Sequence, residues 1–204
     1  MKKAISVLVA AILFCGTTVK AEQAEYDSKH DVALSYGIYS NSQYFSFIED
    51  LVGITVTAGY AYFDNKKFVG PIAGEYFYRL NSFLGIGGIG VYATEGKDIM
   101  INKKENPKIG TSRFNYFTII PAVKFDWLRR EHFGLYSKAG FGATIVNERQ
   151  KYNDGTDDES ETAATVSWQF SFIGVEAGSA KVRGFAEFGF GEQGVLLAGV
   201  RYKF

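Results

Sequence analysis

The chain has 204 residues, among them 22 basic and 22 acidic side chains, one cysteine, 23 glycines and 3 prolines. This charge balance excludes the strongly basic surface that nucleic-acid binding needs, and one cysteine excludes a disulfide framework. The 18 phenylalanines, 13 tyrosines and 2 tryptophans, together with the glycines, favour strands and tight turns in a single domain.

Residues 1–21 have the organisation of a secretory signal peptide. Two lysines precede an apolar stretch over residues 4–15, and small residues follow up to Ala21. The stretch of about a dozen residues is shorter than the roughly 20 that a membrane-spanning helix needs. We therefore predict cleavage after Ala21, with residues 22–204 forming one mature domain.

Cleavage at this point removes the only cysteine and shifts the charge balance. A cut before Cys15 would instead give a lipoprotein, but Phe14 is too bulky for such a site. Loss of Lys2, Lys3 and Lys20 lowers the basic residues from 22 to 19, against 22 acidic ones. The excess of acidic residues again argues against nucleic acid as a partner.

Along the mature chain, apolar and polar residues alternate with the period of two that is typical of β-strands. Nine segments carry this pattern: 32–39, 54–62, 72–80, 83–93, 117–127, 133–146, 165–173, 183–190 and 194–204. The connection 41–53 could hold a short helix or a further strand. Eight strands are our prediction, and ten are the alternative.

The two faces of these segments reverse the pattern of a soluble sheet. In 165–173, Trp168 and Phe170 alternate with Ser167 and Gln169, and we place the aromatics outward and the polar residues inward. Because no mature stretch approaches about 18 consecutive apolar residues, only a closed barrel could cross a membrane. We predict an all-β, closed, up-and-down, antiparallel transmembrane β-barrel.

Aromatic residues near strand ends suit the girdle that such barrels form at the membrane surface. The predicted girdle residues are Tyr60, Tyr62, Tyr78 and Trp127.

The last strand ends at the carboxy terminus with one wholly apolar face. That face consists of Leu196, Ala198, Val200, Tyr202 and Phe204. Arg201 and Lys203 fall on the other face. Since no later element of the chain can cover the apolar face, lipid is the covering that we predict.

Two positions interrupt the alternation. In 83–93 the apolar residues change phase at Gly87 and Gly88, which predicts a bulge. Pro121 cannot donate a ladder hydrogen bond in the middle of 117–127, and we predict a second bulge there.

The lengths of the connections predict an orientation. The segments 64–67, 129–132 and 177–183 are short, whereas 95–112 and 148–162 are long and polar. Outer-membrane barrels keep long loops outside the cell and short turns in the periplasm. We therefore place both long loops outside and the turns at 129–132 and 177–183 in the periplasm.

With these features the chain resembles the small outer-membrane β-barrel proteins of Gram-negative bacteria, and it is similar to the transmembrane domain of outer membrane protein A. The most specific element of the resemblance is the last strand. The resemblance implies residence in the bacterial outer membrane, in contact with its lipid and lipopolysaccharide. It also implies insertion by the barrel assembly machinery through a terminal signal in Tyr202 and Phe204. We expect a monomer without a cofactor.

Strand parity directs a nearly balanced set of charged side chains into the lumen. These residues are Glu75, Arg79, Lys124, Asp126, Lys138, Glu187 and Arg201. An eight-stranded barrel is only just wide enough for its own side chains, so we expect these charges to pair and to fill the interior. The alternative is a narrow pore for small solutes.

Histidine chemistry is the enzymatic hypothesis. Some small outer-membrane barrels modify lipid A by hydrolysis, which needs a base beside a nucleophile. His30 lies in a polar lead-in and His132 in a short turn, and neither has a serine at a meaningful strand spacing. We therefore expect no catalytic residues and no enzymatic activity.

The polar loops suggest two binding hypotheses. The acidic segment 153–161 lacks the spacing of a calcium loop, and we expect no metal site there. Four lysines could meet lipopolysaccharide phosphates, although lysines in a surface loop are more often simply solvated. They are Lys97, Lys103, Lys104 and Lys108.

Taken together, these patterns predict a structural or surface-interaction role through the loops 95–112 and 148–162. A soluble, lipocalin-like binding barrel is a third possibility, but it would place apolar side chains in its cavity and polar ones outside.

Overall fold

A computed structural model of the chain describes residues 28–42, 61–101, 108–153 and 158–204. In these residues eight antiparallel strands close into a barrel, each pairing with the next and the last pairing with the first. The strands are β1 (His30–Ile38), β2 (Ala61–Arg79), β3 (Leu84–Ile101), β4 (Lys108–Arg129), β5 (Phe133–Tyr152), β6 (Glu159–Gly178), β7 (Val182–Gly191) and β8 (Leu196–Lys203). The predicted all-β, up-and-down, eight-stranded barrel is confirmed.

The last strand closes the barrel against the first. β8 pairs with β1 in one unbroken register that begins with Asp31 opposite Lys203. Beyond the ladder, the His30 nitrogen donates to the Phe204 carbonyl at 2.9 Å, and the Phe204 nitrogen donates to the His30 carbonyl at 3.0 Å. Each of the eight described strands therefore has two neighbours, which removes the unpaired edges of an open sheet.

The barrel has two unequal ends. At the short-turn end the connections are 80–83, 130–132 and 179–181, and the chain finishes there at Phe204. At the opposite, extended end, β2 to β6 rise beyond the other strands, because they have 18 to 22 residues against 8 to 10. The β3–β4 and β5–β6 connections both lie at the extended end, so the two long loops share one side of the barrel as predicted.

One predicted turn is wrong. The segment 64–67 lies inside β2, which continues with a register shift against β3 between Asp64 and Lys67. The end of the candidate segment 54–62, from Ala61, and the candidate 72–80, up to Arg79, therefore belong to one strand, while residues 54–60 lie outside the described residues. Most of the connection 41–53 lies outside the described residues.

The long polar loops are also shorter than predicted. β4 begins at Lys108 and β6 at Glu159, so most of 95–112 and 148–162 is paired hairpin. At the extended end polar side chains occur on both faces of the strands. The amino-acid composition of these strand segments therefore resembles that of a loop, although their backbones remain paired.

The predicted bulge at Gly87 and Gly88 is absent. β3 keeps one continuous register with β2 and β4 through both glycines. The phase change has another cause, because Ile89 and Val91 point into an apolar part of the interior. They pack there with Ala73, Phe77, Ile120 and Ala122.

Pro121 also lies in a strand without a bulge. It is exposed and stays in register with Gly88 of β3. The pairing of β4 with β5 is interrupted over Ile120 and Pro121 and resumes at Ala122 without a register shift. A missing N–H group is therefore accommodated by a local gap in one ladder, and no extra residue is inserted.

An apolar belt surrounds the barrel below the extended end. Every strand contributes large exposed apolar side chains, among them Leu34, Tyr76, Ile86, Ile119, Phe141, Phe172, Phe188 and Val200. Near the short-turn end Tyr78 and Trp127 face outward, 38% and 63% exposed. The side chains of Tyr60 and Tyr62 lie outside the described residues.

Inside the belt, one aromatic ring depends on a glycine. Tyr136 of β5 is fully buried and stands opposite Gly174 of β6. A Cβ atom at Gly174 would lie 2.4 Å from Cζ of Tyr136. Glycine is therefore required for the close approach of this ring to the neighbouring strand.

We expect Gly174→Ala to lower the free energy of unfolding by about 1–3 kcal/mol, because the Tyr136 ring has to leave its position. Gly90→Ala on β3 is the matched control, since a Cβ there meets nothing within 4 Å. It should change stability by less than about 0.5 kcal/mol. Urea unfolding of the detergent-solubilised barrel, followed by tryptophan fluorescence, measures both, and equal effects would contradict the packing role.

Candidate functional site

Charged side chains fill the barrel interior from its middle to the short-turn end. The structure places all seven predicted lumen residues there. Their side chains are at most 9% exposed: Glu75, Arg79, Lys124, Asp126, Lys138, Glu187 and Arg201.

Glu176 of β6 has four cations around its carboxylate. Arg183 Nη1 donates to Oε1 at 2.6 Å, and Arg201 Nη1 donates to Oε2 at 2.7 Å. Lys203 Nζ also pairs with Oε1, and Lys124 Nζ lies 3.9 Å from Oε2. Removal of a carboxylate from water is costly, and this number of partners offsets the cost.

Asp31 and Asp126 form a second group, close to the short-turn end. Lys124 Nζ lies 2.8 Å from Asp31 and 3.5 Å from Asp126. Arg79 Nη2 lies 3.8 Å and 3.4 Å from the same two carboxylates. Ion pairs thus connect β1, β2 and β4 across the interior.

Glu75 and Glu187 form a third group. Lys138 Nζ pairs with Glu75 and lies 2.9 Å from Glu187. The hydroxyl groups of Tyr136 and Ser171 each donate to Glu187 at 2.6 Å. Gln193 Nε2 donates to Glu75 at 2.7 Å. Each carboxylate therefore has a cation and at least one neutral donor from another strand or turn, as buried charges require.

Arg201 of the last strand connects two of these groups. Its Nη1 atom contacts Glu176 at 2.7 Å, and its Nη2 atom contacts Glu75 at 3.2 Å. The guanidinium carbon lies 4.5 Å from the ring centroids of both Tyr136 and Phe185. A planar, permanently charged group suits this position, since it can donate to two carboxylates while it stacks on aromatic rings.

Within these ion-pair groups, four charged residues escaped the sequence analysis, namely Asp31, Glu176, Arg183 and Lys203, while Glu95, Lys97 and Glu192 are further buried charges that it did not find. Glu176 was missed for a structural reason. β6 has a register shift after Ser171, and the next two residues, Phe172 and Ile173, are both exposed. Inward residues have odd numbers before this irregularity and even numbers after it, so strict parity would place Glu176 outside. Lys203 follows the parity of Arg201 and could have been found.

Toward the extended end the interior opens into a cavity. The hydroxyl groups of Thr118 and Thr144 lie 2.6 Å apart, and Ser167 continues this chain onto β6. Beyond it lies a cavity of about 270 Å³. Its lining includes Phe114, Tyr116, Val146, Glu148, Glu161 and Glu192. The cavity thus combines aromatic and carboxylate side chains.

The four lysines considered for a contact with lipopolysaccharide do not form one outer cluster. Lys97 is buried in β3, with its Nζ atom 4.6 Å from the centroid of the Phe114 ring inside the barrel. Neither a contact with lipopolysaccharide nor a solvated surface loop therefore applies to Lys97. Lys108 is partly exposed and lies at the start of β4, while Lys103 and Lys104 lie outside the described residues.

The two histidines lie at the short-turn end, away from each other in the sequence. His30 is the first residue of β1 and not part of a lead-in. Its Nδ1 atom lies 2.9 Å from the Tyr76 hydroxyl, and its ring stacks on Phe204 with centroids 5.1 Å apart. His132 is exposed in the β4–β5 turn, 3.0 Å from the Gly178 carbonyl. These hydrogen bonds join the rings to a tyrosine and to the backbone.

The part of the chain that the structure describes holds no group of three His, Cys, Asp or Glu side chains suited to a metal ion. Residues 154–157 of the acidic segment lie outside that part. Among the described helical residues there is no helix long and apolar enough to cross a membrane.

These features define a closed eight-stranded β-barrel with an apolar outer belt and an ion-paired interior. No family model and no curated protein matches the chain. Among solved structures, it is similar to Ail, the attachment invasion locus protein of Yersinia pestis, in complex with the heparin analogue sucrose octasulfate. This match has 12% identity and a TM-score of 0.45, and covers 87% of this chain and 97% of that one.

A second structure of Ail matches with 13% identity, the same coverage and a TM-score of 0.42. At these identities and TM-scores, the likeness establishes neither the family nor the function of this chain.

The interior ion pairs lead to a prediction for Arg201. Arg201→Met should lower the free energy of unfolding by about 3–5 kcal/mol, because it leaves Glu75 and Glu176 with fewer partners away from water. Lys181→Met, in the exposed turn 179–181, is the control and should change it by less than about 0.5 kcal/mol. Urea unfolding in detergent measures both variants. A stable Arg201→Met protein would show that the network contributes little.

Proposed function

We propose that this protein is an integral outer-membrane β-barrel of a Gram-negative bacterium, with a structural or surface-interaction role at its extended end. The observation that carries the proposal is the distribution of side chains. Large apolar groups surround all eight strands on the outside, while charged and hydroxyl groups occupy much of the inside. Soluble proteins rarely expose contiguous apolar surface on this scale.

The height of the belt supports the same proposal. On β8 the exposed apolar residues extend from Leu196 to Phe204. Eight steps of about 3.4 Å, at a strand tilt of about 40°, give a height of roughly 21 Å. The apolar band of outer-membrane barrels is about 25 Å tall. Closure of β8 on β1 also satisfies the backbone, which lipid cannot do.

The unequal ends support an orientation. Short turns at one end and tall hairpins at the other follow the arrangement of outer-membrane barrels, whose short turns are periplasmic. We place the short-turn end in the periplasm and the hairpins of β3–β4 and β5–β6 outside the cell. A surface role would then involve these hairpins, and lipid and lipopolysaccharide would surround the belt.

A soluble, lipocalin-like barrel fits the side chains less well. Such a protein would need an apolar cavity and a polar outer surface. Here the buried interior contains Lys138, Glu187 and Arg201, while Ile119 and Val166 are 73% and 76% exposed. In water, the apolar outer face of the sheet would be exposed and the charged side chains would remain buried, which is the reverse of the arrangement in a soluble barrel.

The narrow-pore alternative requires a continuous path through the interior. Arg201, Tyr136 and Lys138 are almost completely buried across that path, and they are held by ion pairs and ring contacts. We therefore propose a barrel that does not conduct. Steady single-channel conductance in planar bilayers would favour the pore instead.

No catalytic or cofactor role enters the proposal. A lipid A hydrolase is the less favoured enzymatic alternative, since both histidines would lie at the periplasmic end and lipid A occupies the outer leaflet. We also propose that the barrel is a monomer.

The central test is electrophoresis of outer-membrane fractions with and without boiling. We expect the protein in the membrane fraction and a clear change of mobility only after heating, because closed barrels resist detergent until they are thermally unfolded. Protein in the soluble fraction, or identical mobility in both samples, would contradict the proposal and favour a soluble barrel.

We further propose that Tyr202 and Phe204 form the signal for the barrel assembly machinery. Phe204→Gln should reduce the amount of assembled, heat-modifiable barrel several-fold. Phe83→Gln is the matched control, because Phe83 is an exposed aromatic at the same end, 42% exposed against 52% for Phe204. If both variants assemble equally, the terminal position has no special role in assembly.

A further inference from the structure

The β-sheet at the extended end separates charges between its two faces. Inside, Glu148 of β5 stands opposite Glu161 of β6. Outside, Arg113 of β4 stands opposite Arg149 of β5. Lys151 lies two residues beyond Arg149 and therefore shares its outward face. The outer surface thus carries three cations side by side on two neighbouring strands.

Arg113 and Arg149 lack a counterion within the part of the chain that the structure describes. Both are exposed, and among the described residues neither guanidinium group has an ion-pair partner. Nearby acids interact with other cations, since Asp98 pairs with Lys108 at 2.6 Å and Asp158 lies 3.9 Å from Lys151. Like charges directly opposite each other destabilise a sheet. An anion that contacts both guanidinium groups would relieve this repulsion.

The three cations share a groove on the outer surface. It has a volume of about 370 Å³ and is lined by Thr111, Arg113, Asn115, Arg149 and Lys151. Hydroxyl and amide groups therefore accompany the cations. This combination of donors, without a carboxylate in the lining, suits the oxygen atoms of a phosphate group.

The groove lies just above the apolar belt. The highest large apolar residues on these strands are Phe117 and Ile145, 52% and 50% exposed. Arg113 and Arg149 are each four residues further along, which corresponds to about 13 Å along the strand. Because the strands are tilted, the height above the belt is roughly 10 Å. Flexible arginine side chains can reach the layer of lipid headgroups from this position.

We propose that Arg113, Arg149 and Lys151 bind a phosphate group of a lipid headgroup, namely the phosphorylated lipid A part of lipopolysaccharide. This inference rests on the proposed orientation in the outer membrane and identifies the residues that contact its lipid. The site lies on the side wall of the barrel and faces laterally, which favours a lipid neighbour over a soluble partner approaching from above.

The test compares Arg113→Gln/Arg149→Gln with the matched double variant Lys29→Gln/Lys181→Gln. Both remove two exposed positive charges, but Lys29 and Lys181 lie at the short-turn end. The full-length, folded proteins in detergent are titrated calorimetrically with bisphosphorylated lipid A and with lipid A that lacks both phosphates. Each basic residue near an anionic surface is worth about a factor of five, so the arginine variant should bind bisphosphorylated lipid A on the order of 30-fold more weakly. The lysine variant should bind like the unaltered protein.

Phosphate dependence distinguishes this site from general lipid binding. The unaltered protein should prefer the bisphosphorylated lipid, and the arginine variant should lose that preference. Equal binding of the bisphosphorylated lipid by both double variants would overturn the inference. A polysulfated sugar is titrated in parallel. Loss of its binding with unchanged binding of lipid A would assign the cluster to a soluble glycan and also overturn it.

The failure of this inference can be separated from that of the proposed function. All variants are first checked for heat-dependent mobility, and Arg149→Gln alone replaces the double variant if that protein does not fold. An unaltered protein without heat-dependent mobility would refute the membrane barrel itself. A normal barrel whose affinity for lipid A is unaffected by the arginines would refute only the site.

Discussion

The interior of an eight-stranded barrel has little room beyond its own side chains, so each inward charge needs a partner on another strand or turn. This constraint determines the arrangement of side chains in the interior from the middle of the barrel to the short-turn end. Glu176, Glu75 and Asp31 come from three different strands, and each carboxylate is shared by cations from strands that are distant in sequence. Packing, charge balance and strand register therefore depend on one another, and a change in one of them disturbs the others.

The sequence was sufficient to predict the closed barrel and the direction of most side chains. Apolar and polar residues alternate along many strands because the outer and inner faces of the barrel have different environments. The sequence was least reliable at the extended end. There, Asp64 and Lys67 lie in a strand although their polarity suggests a turn. Both faces of a strand can be polar at this level, so the signal that distinguishes strand from loop is lost.

The site was partly predictable for the same reason. Seven interior charges follow from parity, whereas Glu176 depends on an irregularity at Phe172 and Ile173 that conventional alternation does not reveal. The opposing arginines Arg113 and Arg149 require the register between β4 and β5, which sequence alone did not supply. Pairing between strands thus carries information that no single segment contains.

The position of Arg201 and Lys203 in the last strand has a consequence for biogenesis. A chain that lacks β8 would retain Glu75, Glu176 and Asp31 but would lose two of their cationic neighbours, Arg201 and Lys203. A sheet that lacks β8 has unpaired edges and an interior with incomplete charge compensation. Closure by the final strand corrects both defects in one step. A protein truncated before β8 would therefore be destabilised twice, by its open sheet edges and by interior carboxylates that lack their cations.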